Sequence, residues 1–355
     1  MENIRSAVNE IVLHFMDDMH FHPRDDDEIT EMVMQDLLDS GFTRGIPVFN
    51  YRNPVDDAWK LERELKRFHR IAPKFEIIPS IMLTVRTSPT IIRDVYSIGG
   101  RVIKLIPADL STNSSNGVSW QNLPEKYPCF KEAERLGMAS MNHVEFSFAD
   151  KFGRPITHPV SRETMALPMF DNFARLFPGM PISIEHVSTR AGVDYILYSA
   201  PPNVKGGITV KHLLRTIFDV YDEHGHVRSD EWCMPIFKYP NDLDALIRAV
   251  VSGSKKFFYS SDKAAHRNKN PSEPAAGIYD GKTDICLLAK IFEDYDALDK
   301  DKLDYFVSGS GADHYGLPRN EGMITLRKQD HTPPEEVLGV RIFEGGKRQS
   351  WKVII

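Results

Sequence analysis

The sequence predicts an α/β fold, and within that class a (β/α)8 TIM barrel that forms a single domain over residues 1–355. Short runs rich in β-branched and aromatic residues alternate with amphipathic helical segments along the chain. The candidate strands fall within about 250 residues, the usual size of this barrel. No G-x-G-x-x-G or P-loop motif follows a strand, which disfavours the alternative, an open nucleotide-binding sheet.

The strands and helices follow in regular order. Ile29, Met32, Val33 and Leu37 recur at helical spacing, and Gly41 ends that helix. Further helices are predicted over 56–70 and 241–253, and loops over 108–117 and 266–274. Pro79 lies inside the third predicted strand, where a proline disfavours strand pairing. The predicted strands are 11–17, 45–50, 75–85, 100–107, 137–146, 181–186, 207–213 and 254–262.

The composition excludes several classes of protein. A net charge of −6 gives no electrostatic reason to expect nucleic acid or an anionic membrane as a partner. No apolar stretch is long enough to span a bilayer, and "MENIRSAVNE" lacks the pattern of a signal peptide. Cys129, Cys233 and Cys286 are far apart and form no CxxC pair. We therefore expect a soluble protein of the reducing cytoplasm.

Two histidines stand one residue apart at the end of the first apolar run. Residues two apart on a strand face the same side, so His20 and His22 point together, at the end of a barrel strand where active sites lie. Two imidazoles on one face can chelate a metal ion. Among thirteen histidines, however, an isolated H-x-H pair is more often incidental.

Four later strands also carry ionisable residues of the kinds that bind metals. They are Lys104, His143, His186 and Asp262. Each has an ordinary structural explanation: a core histidine, a lysine with its head in solvent, or a helix N-cap aspartate. Together they place such groups at five of eight strand ends on one face of the barrel. That coincidence favours a metal centre.

Several longer stretches carry a resemblance to a known family. In order they are HFHPRD (20–25), KLIPADLSTNSSNGV (104–118), NHVE (142–145), IEHVSTRAGVDYI (184–196), CMPIFK (233–238), SDKAAH (261–266), AAGI (275–278) and YGLPRNEGMITL (315–326). In this order and spacing the chain resembles the bacterial-type dihydroorotases, the stand-alone, homodimeric form within the metal-dependent amidohydrolase superfamily. About nineteen residues precede His20, so we expect no flanking β-domain there.

The resemblance implies two zinc ions per subunit. His20, His22 and Asp262 would hold one ion, and His143 and His186 the other. Lys104, carboxylated by carbon dioxide, would bridge them as an anionic oxygen ligand. Asp262 would take a proton from the attacking hydroxide and pass it to the departing amide nitrogen.

The resemblance also implies a small-molecule substrate, dihydroorotate, which is interconverted with N-carbamoyl-aspartate in pyrimidine synthesis. A guanidinium is a forked donor that matches a carboxylate, so Arg24 would hold the substrate carboxylate. The other implied substrate contacts are Asn50, His266, the backbone of Met234, and Ala276. Ser111 and Thr112 would lie on a mobile lid.

The chain departs from the family pattern at a few positions. Val144 replaces a usual glycine and Val210 a usual proline, while Lys263 and Ala265 replace a small hydroxyl residue and a proline. We expect these changes to crowd the substrate side. Two alternatives therefore stay open: another cyclic amide hydrolase of the hydantoinase or dihydropyrimidinase kind, and a non-catalytic barrel that accompanies a transcarbamoylase.

Overall fold

The strands and helices come from a computed structural model, which describes residues 8–354. Residues 1–7 lie outside the described residues. They include most of the segment MENIRSAVNE, for which the sequence predicts no signal peptide. The strands are β1 (Glu10–His14), β2 (Met16–His22), β3 (Phe42–Pro47), β4 (Glu76–Ile77), β5 (Ser80–Met82), β6 (Val102–Leu105), β7 (Ala139–Asn142), β8 (Ile182–Ile184), β9 (Val204–Ile208), β10 (Phe257–Tyr259), β11 (Lys263–Ala264), β12 (Met323–His331), β13 (Glu336–Val337), β14 (Val340–Arg341) and β15 (Gln349–Ile354).

Helices follow the barrel strands one by one, from α1 to α8. The α-helices are α1 (Asp27–Asp39), α2 (Ala58–Ile71), α3 (Pro89–Ser97), α4 (Tyr127–Arg135), α5 (Arg162–Leu176), α6 (Arg190–Tyr198), α7 (Pro240–Val251), α8 (Asp284–Asp294), α9 (Lys300–Asp304) and α10 (Ser310–Tyr315). Short 3-10 turns cover Leu123–Lys126, Pro159–Ser161, Lys211–Leu213, Ile217–Val220 and Ser229–Glu231, and a π turn covers Tyr305–Gly309. None of the helices within 8–354 is long and apolar enough to cross a membrane.

The parallel strands close into the predicted barrel. One sheet runs β11-β2-β3-β4 and the other β10-β9-β8-β7-β6-β5. β4 and β5 are two halves of the third barrel strand, separated at Pro79, and β10 and β11 are two halves of the eighth. The third strand was predicted as one run over 75–85, and it breaks at Pro79 because proline has no N–H to donate to a neighbouring strand. The two sheets are therefore parts of one ring of eight strands, and the TIM-barrel prediction is confirmed.

Several predicted strand bounds were wrong, among them those of the first, seventh and eighth predicted strands. The predicted strand 11–17 is split at Phe15, whose N–H bonds the carbonyl of Gly322, so only β2 enters the barrel. The predicted seventh strand ends at Ile208, before the 3-10 turn. The eighth is interrupted at Asp262, whose φ of +50° lies in the left-handed region and ends regular pairing.

Two further parts of the chain cover the barrel, and neither was predicted. The segment α9–α10 closes the amino-terminal end, where Lys205 at the start of β9 donates to the carbonyl of Ser310 (3.0 Å). β1, β12 and β15 form an antiparallel sheet in that order. Trp351 of β15 is buried and donates to Glu293 of α8 (3.2 Å).

A buried ion pair joins the first two barrel strands. Arg44 on β3 donates through Nε and Nη2 to both carboxylate oxygens of Asp17 on β2, each at 2.9 Å. Nη2 also donates to the carbonyl of Pro318 (2.9 Å), which anchors the segment after α10. Asn320 donates to the same carboxylate (2.7 Å). The pair therefore ties the ring to the segment that covers its lower end.

We predict that Arg44→Met lowers the free energy of unfolding by about 3–5 kcal/mol, because it leaves the Asp17 carboxylate buried without its partner. Denaturant unfolding followed by circular dichroism measures this change. Lys66→Met is the control, since Lys66 pairs with Glu62 on an exposed helix surface and should cost no more than about 0.5 kcal/mol. A loss below about 1 kcal/mol for Arg44→Met would contradict the assigned role.

Candidate metal centre and substrate cleft

Three ligand atoms converge at the carboxyl end of β2. The Nε2 atoms of His20 and His22 lie 3.1 Å apart. Oδ1 of Asp262 is 2.9 Å from Nε2 of His22 and 3.6 Å from that of His20. All three side chains are buried, and within 8–354 they are the His/Asp group whose geometry could hold a metal ion.

Neighbouring residues determine which nitrogens face this point. Nδ1 of His22 lies 2.7 Å from Oδ1 of Asn50, and Nδ1 of His20 lies 3.2 Å from Glu185. Asn50 accepts the hydrogen bond of His22, so Nδ1 of His22 carries the proton and its Nε2 offers a lone pair inward, whereas Nδ1 of His20 faces the Glu185 carboxylate with no hydrogen bond among residues 8–354. Ligands about 2.0–2.2 Å from a tetrahedral zinc ion stand about 3.3 Å apart. The observed separations therefore fit zinc.

A second group of possible ligands lies beside the first. The rings of His143 and His186 are 4.7 Å apart, and His186 is 5.4 Å from His20. Nε2 of His143 is 2.8 Å from Glu145, which leaves Nδ1 of His143 free to bind an ion. Lys104 on β6 is buried, and its Nζ has no hydrogen-bond partner among residues 8–354. Such an orphaned group fits a site completed by a missing ligand.

Burial and charge set the protonation of these groups. Burial, together with the nearby Lys104, holds the pKa of His20 well below its usual range, and burial does the same for His186. Burial also lowers the pKa of Lys104 to about 8, although Glu185 and Asp262 act in the opposite direction. His20, His22 and His186 are therefore neutral at neutral pH, and about a tenth of Lys104 is the free amine.

Asp262 is kept anionic. Burial raises its pKa, but the positive charge of Lys211 and the contact with the His22 ring outweigh burial, so the pKa lies well below its usual range. A buried anion next to neutral imidazoles is the charge pattern that a metal cation requires.

The predicted substrate residues lie around the same cavity. Arg24 donates through Nε to the carbonyl of Ala265 (2.6 Å) and through Nη2 to His266 (3.0 Å). Thr112 accepts a hydrogen bond from the N–H of Ala276 (2.8 Å). The predicted residues that line the cavity directly are His20, His22, Arg24, Asn50, Lys104, Ser111, His143, His186, Met234, Asp262 and Ala276.

The loop after β6 is closed over this cavity. Asn50 donates to the carbonyl of Thr112 (3.1 Å), and Asn113 donates to the carbonyl of Asn50 (3.1 Å). The remaining cavity is about 20 Å3, room for about one water molecule. In this conformation the cavity has no room for a substrate larger than water.

The family departures do not crowd the substrate side, contrary to our expectation. Val144 and Val210 are buried in the hydrophobic core. Lys263 is fully buried and forms an ion pair with Asp284 of α8, and neither Lys263 nor the two valines line the cavity. Ala265 contributes its backbone carbonyl to Arg24.

Three charged residues of the site were not predicted: Glu145, Glu185 and Lys211. Glu145 follows His143 by two residues on one strand end, which is a readable signal. Glu185 precedes His186 in sequence but contacts His20 across the barrel, so its role depends on ring closure. Lys211 lies in an irregular turn whose position the sequence pattern does not predict.

Known proteins share this fold. A dihydroorotase from Shewanella piezotolerans is 34% identical over 351 residues, 95% of this chain and 96% of that protein. The crystal structure of dihydroorotase in complex with 5-fluoroorotic acid from Saccharomyces cerevisiae matches with a TM-score of 0.88 and 28% identity, over 98% of this chain and 99% of that one. Dihydropyrimidinase from Brevibacillus agri, at 14% identity and a TM-score of 0.75 over 98% and 83% of the two chains, shares the fold alone. No protein-family model matches.

Barrel and site together define a hydrolase of the metal-dependent amidohydrolase class. The near-complete overlap with relatives above 30% identity narrows this class further. The chain belongs to the dihydroorotase family. The resemblance recognised in the sequence is thereby confirmed.

We predict that zinc ions stabilise the metal-free protein, by about 2.7 kcal/mol at a zinc concentration 100 times Kd. His22→Ala removes one of three convergent ligands and should abolish most of this gain. Thermal unfolding with and without zinc measures it, and His69→Ala, an exposed histidine of α2, is the control. Equal stabilisation of His22→Ala and the parent would exclude this zinc site.

Proposed function

We propose that this chain is a zinc-dependent dihydroorotase, which reversibly hydrolyses the cyclic amide of (S)-dihydroorotate to N-carbamoyl-L-aspartate in the synthesis of UMP. One observation carries the proposal. Arg24, a forked cation suited to a carboxylate, lines the same small cavity as the convergent ligands His20, His22 and Asp262. An anionic ring bound through its carboxylate would present its amide bond to those ligands.

We propose two zinc ions per subunit. The convergent Nε2 atoms and Asp262 would hold the first, and His143 and His186 would hold the second. When bound, the ions supply Lewis acidity, which acidifies water and polarises a carbonyl. The neutral His20, His22 and His186 and the anionic Asp262 support this assignment, because cation binding requires deprotonated ligands.

Lys104 would complete the site as a carbamate. Its free amine adds to carbon dioxide, a carbon–nitrogen bond forms, and one proton is released. The product carries a negative charge on oxygens that can bridge two cations. The pKa of the Lys104 amine is lowered to about 8, and its Nζ has no hydrogen-bond partner among residues 8–354. Both observations support this assignment.

Asp262 would move the proton. An aspartate kept anionic can accept a proton from the attacking water and then deliver it to the amide nitrogen as the ring opens. In the reverse direction it would take the proton from that nitrogen as the ring closes. Asp262 lines the cavity, and the contact between its Oδ1 and His22 (2.9 Å) supports a fixed orientation of the carboxylate there.

Arg24 and His266 would select an anionic substrate. Burial, followed by the neighbouring Arg24, lowers the pKa of His266 to about 2, so His266 stays neutral. A hydantoinase-like activity on neutral cyclic amides is less supported. Lys263, which motivated that alternative, points to Asp284 and away from the cavity.

Asn50 would act at two places. It holds His22 in the ligand tautomer and donates to Thr112 of the lid. Lid closure would therefore be coupled to ligand orientation. Thr112 now contacts Ala276. Once the substrate displaces this contact, Ser111 and Thr112 would reach the substrate.

We also propose a homodimer of the cytoplasm. The resemblance supports the dimer, which light scattering on the purified protein would test. Cys129, Cys233 and Cys286 are buried and free, as is usual in a reducing compartment.

Ring opening of dihydroorotate, followed by ultraviolet absorbance in both directions, tests the proposed function. We expect turnover by the zinc-loaded protein that is lost with a chelator and restored by zinc. Turnover of a neutral cyclic amide, with none of dihydroorotate, would support the hydantoinase-like alternative instead. A protein that binds no metal would support a non-catalytic barrel.

We predict that Arg24→Met strongly raises KM for dihydroorotate, because a desolvated charge pair is lost. The loss of substrate-binding free energy should be about 2–5 kcal/mol. Zinc content, measured by elemental analysis, should stay at the parent level. An unchanged KM would contradict the clamp. Arg63→Met, at an exposed helix position, should leave both quantities unchanged.

We predict that Lys104→Ala abolishes tight binding of the second zinc ion, because the bridging carbamate cannot form. Elemental analysis should then give one tightly bound ion per chain where the parent holds two. Retention of two ions by Lys104→Ala would refute the bridge. Carbon-13 NMR of the parent in labelled bicarbonate, with the carbamate signal absent from Lys104→Ala, is an independent measurement.

A further inference from the structure

Lys211 is a fully buried lysine behind the eighth barrel strand. It lies in the 3-10 turn after β9, and its Nζ donates to the carbonyls of Ser261 (2.8 Å) and Asp262 (2.9 Å). Longer contacts reach the carbonyl of Ile278 and a carboxylate oxygen of Asp280, both at 3.4 Å. One ammonium group thus contacts three backbone carbonyls around the end of the eighth strand, those of Ser261, Asp262 and Ile278.

The segment that Lys211 holds is conformationally strained. Asp262 has a φ of +50°, a left-handed value that non-glycine residues rarely adopt. Such a conformation persists only where the surroundings determine it. On the opposite side, the N–H of Ser261 donates to Asp18 (2.9 Å). Asp18 and Lys211 therefore both bind the backbone of the Ser261–Asp262 segment.

Lys211 also faces the carboxylate of Asp262. Its Nζ is 3.9 Å from Oδ2, while Oδ1 is turned toward His22 at 2.9 Å. Asp280, at 3.4 Å, offsets the lysine's charge. The two carboxylate oxygens of Asp262 thus have different neighbours, which defines the rotation of the group.

We propose that Lys211 is a positioning residue for Asp262: its ammonium fixes the strained backbone and the rotation of the carboxylate that binds metal and moves the proton. This inference rests on the proposed function. Lys211 itself does not line the cavity, so it acts through Asp262. A displacement of about 1 Å in a reacting group can cost a factor of about 100 in rate.

The chain offers a matched control in Lys263. Lys263 is equally buried, directly follows Asp262, and forms an ion pair with Asp284 of α8. Its Nζ lies on the side away from the cavity. Loss of Lys263 removes a buried charge of the same kind without removing the bonds to the carbonyls of Ser261 and Asp262.

The experiment compares Lys211→Met, Lys211→Gln and Lys263→Met with the parent. Methionine keeps the length of the side chain without donors, whereas the glutamine amide keeps two donors. Zinc affinity is measured on each metal-free protein by competition with a chelating dye, and kcat and KM for dihydroorotate are measured per zinc-loaded chain. Thermal unfolding identifies the folded fraction.

We expect Lys211→Met to bind zinc about 10- to 100-fold more weakly and to lose about 100-fold in kcat with KM near the parent value. Lys211→Gln should recover part of both losses, and Lys263→Met should lower stability alone. If Lys211→Met fails to fold, a graded loss in Lys211→Gln carries the same support.

Two results would overturn the inference: parent-like zinc affinity and kcat in the folded Lys211 variants, or an equal loss in Lys263→Met. The zinc measurement does not depend on substrate. A parent that leaves dihydroorotate unchanged would therefore end the proposed function, while the difference in zinc affinity would still decide the role of Lys211.

Discussion

A single backbone hydrogen bond brings the two halves of the first ligand set together. The N–H of Asp262 donates to the carbonyl of His20 at 2.7 Å, where the eighth barrel strand meets the first. These residues are far apart along the chain, and only ring closure makes them neighbours. The Nε2 atoms of His20 and His22 then face Oδ1 of Asp262. The binding of an ion by His20, His22 and Asp262 depends on this junction.

Closing the ring also buries charge, which has to be compensated on both sides of the strands. On the inner side, Glu185 faces His20 and Lys104. On the outer side, Lys263 pairs with Asp284. Unpaired, any of these groups would cost several kcal/mol to bury. The metal centre is therefore one part of a larger set of compensated charges around the carboxyl end of the barrel.

The sequence predicted the barrel and the inward ligands because both follow from short-range patterns. Alternating strands and helices define the ring, and the period of two places His20 and His22 on one face. It did not predict contacts that arise between distant segments. Glu185 sits beside His186 in sequence yet serves His20, and Arg44 pairs with Asp17 through a register that no local pattern contains. The strand ends were also misplaced, because positive φ at Asp262 and a turn at Lys211 interrupt runs that look continuous. We expected Lys263 to crowd the substrate side because the sequence does not show which way a residue beside such a kink will point.

The small antiparallel sheet has a consequence for the order in which the chain can fold. β1 pairs with β12, so that Glu10 lies opposite Arg327, and β2 completes its pairing only with β11. During synthesis, β1 and the free edge of β2 must therefore wait for most of the polypeptide before they find their partners, although β2 can pair with β3 early. Contacts of such long separation slow folding and leave strand edges unpaired for a time. Until then, the exposed edges of β1 and β2 are sites at which the nascent chain can aggregate.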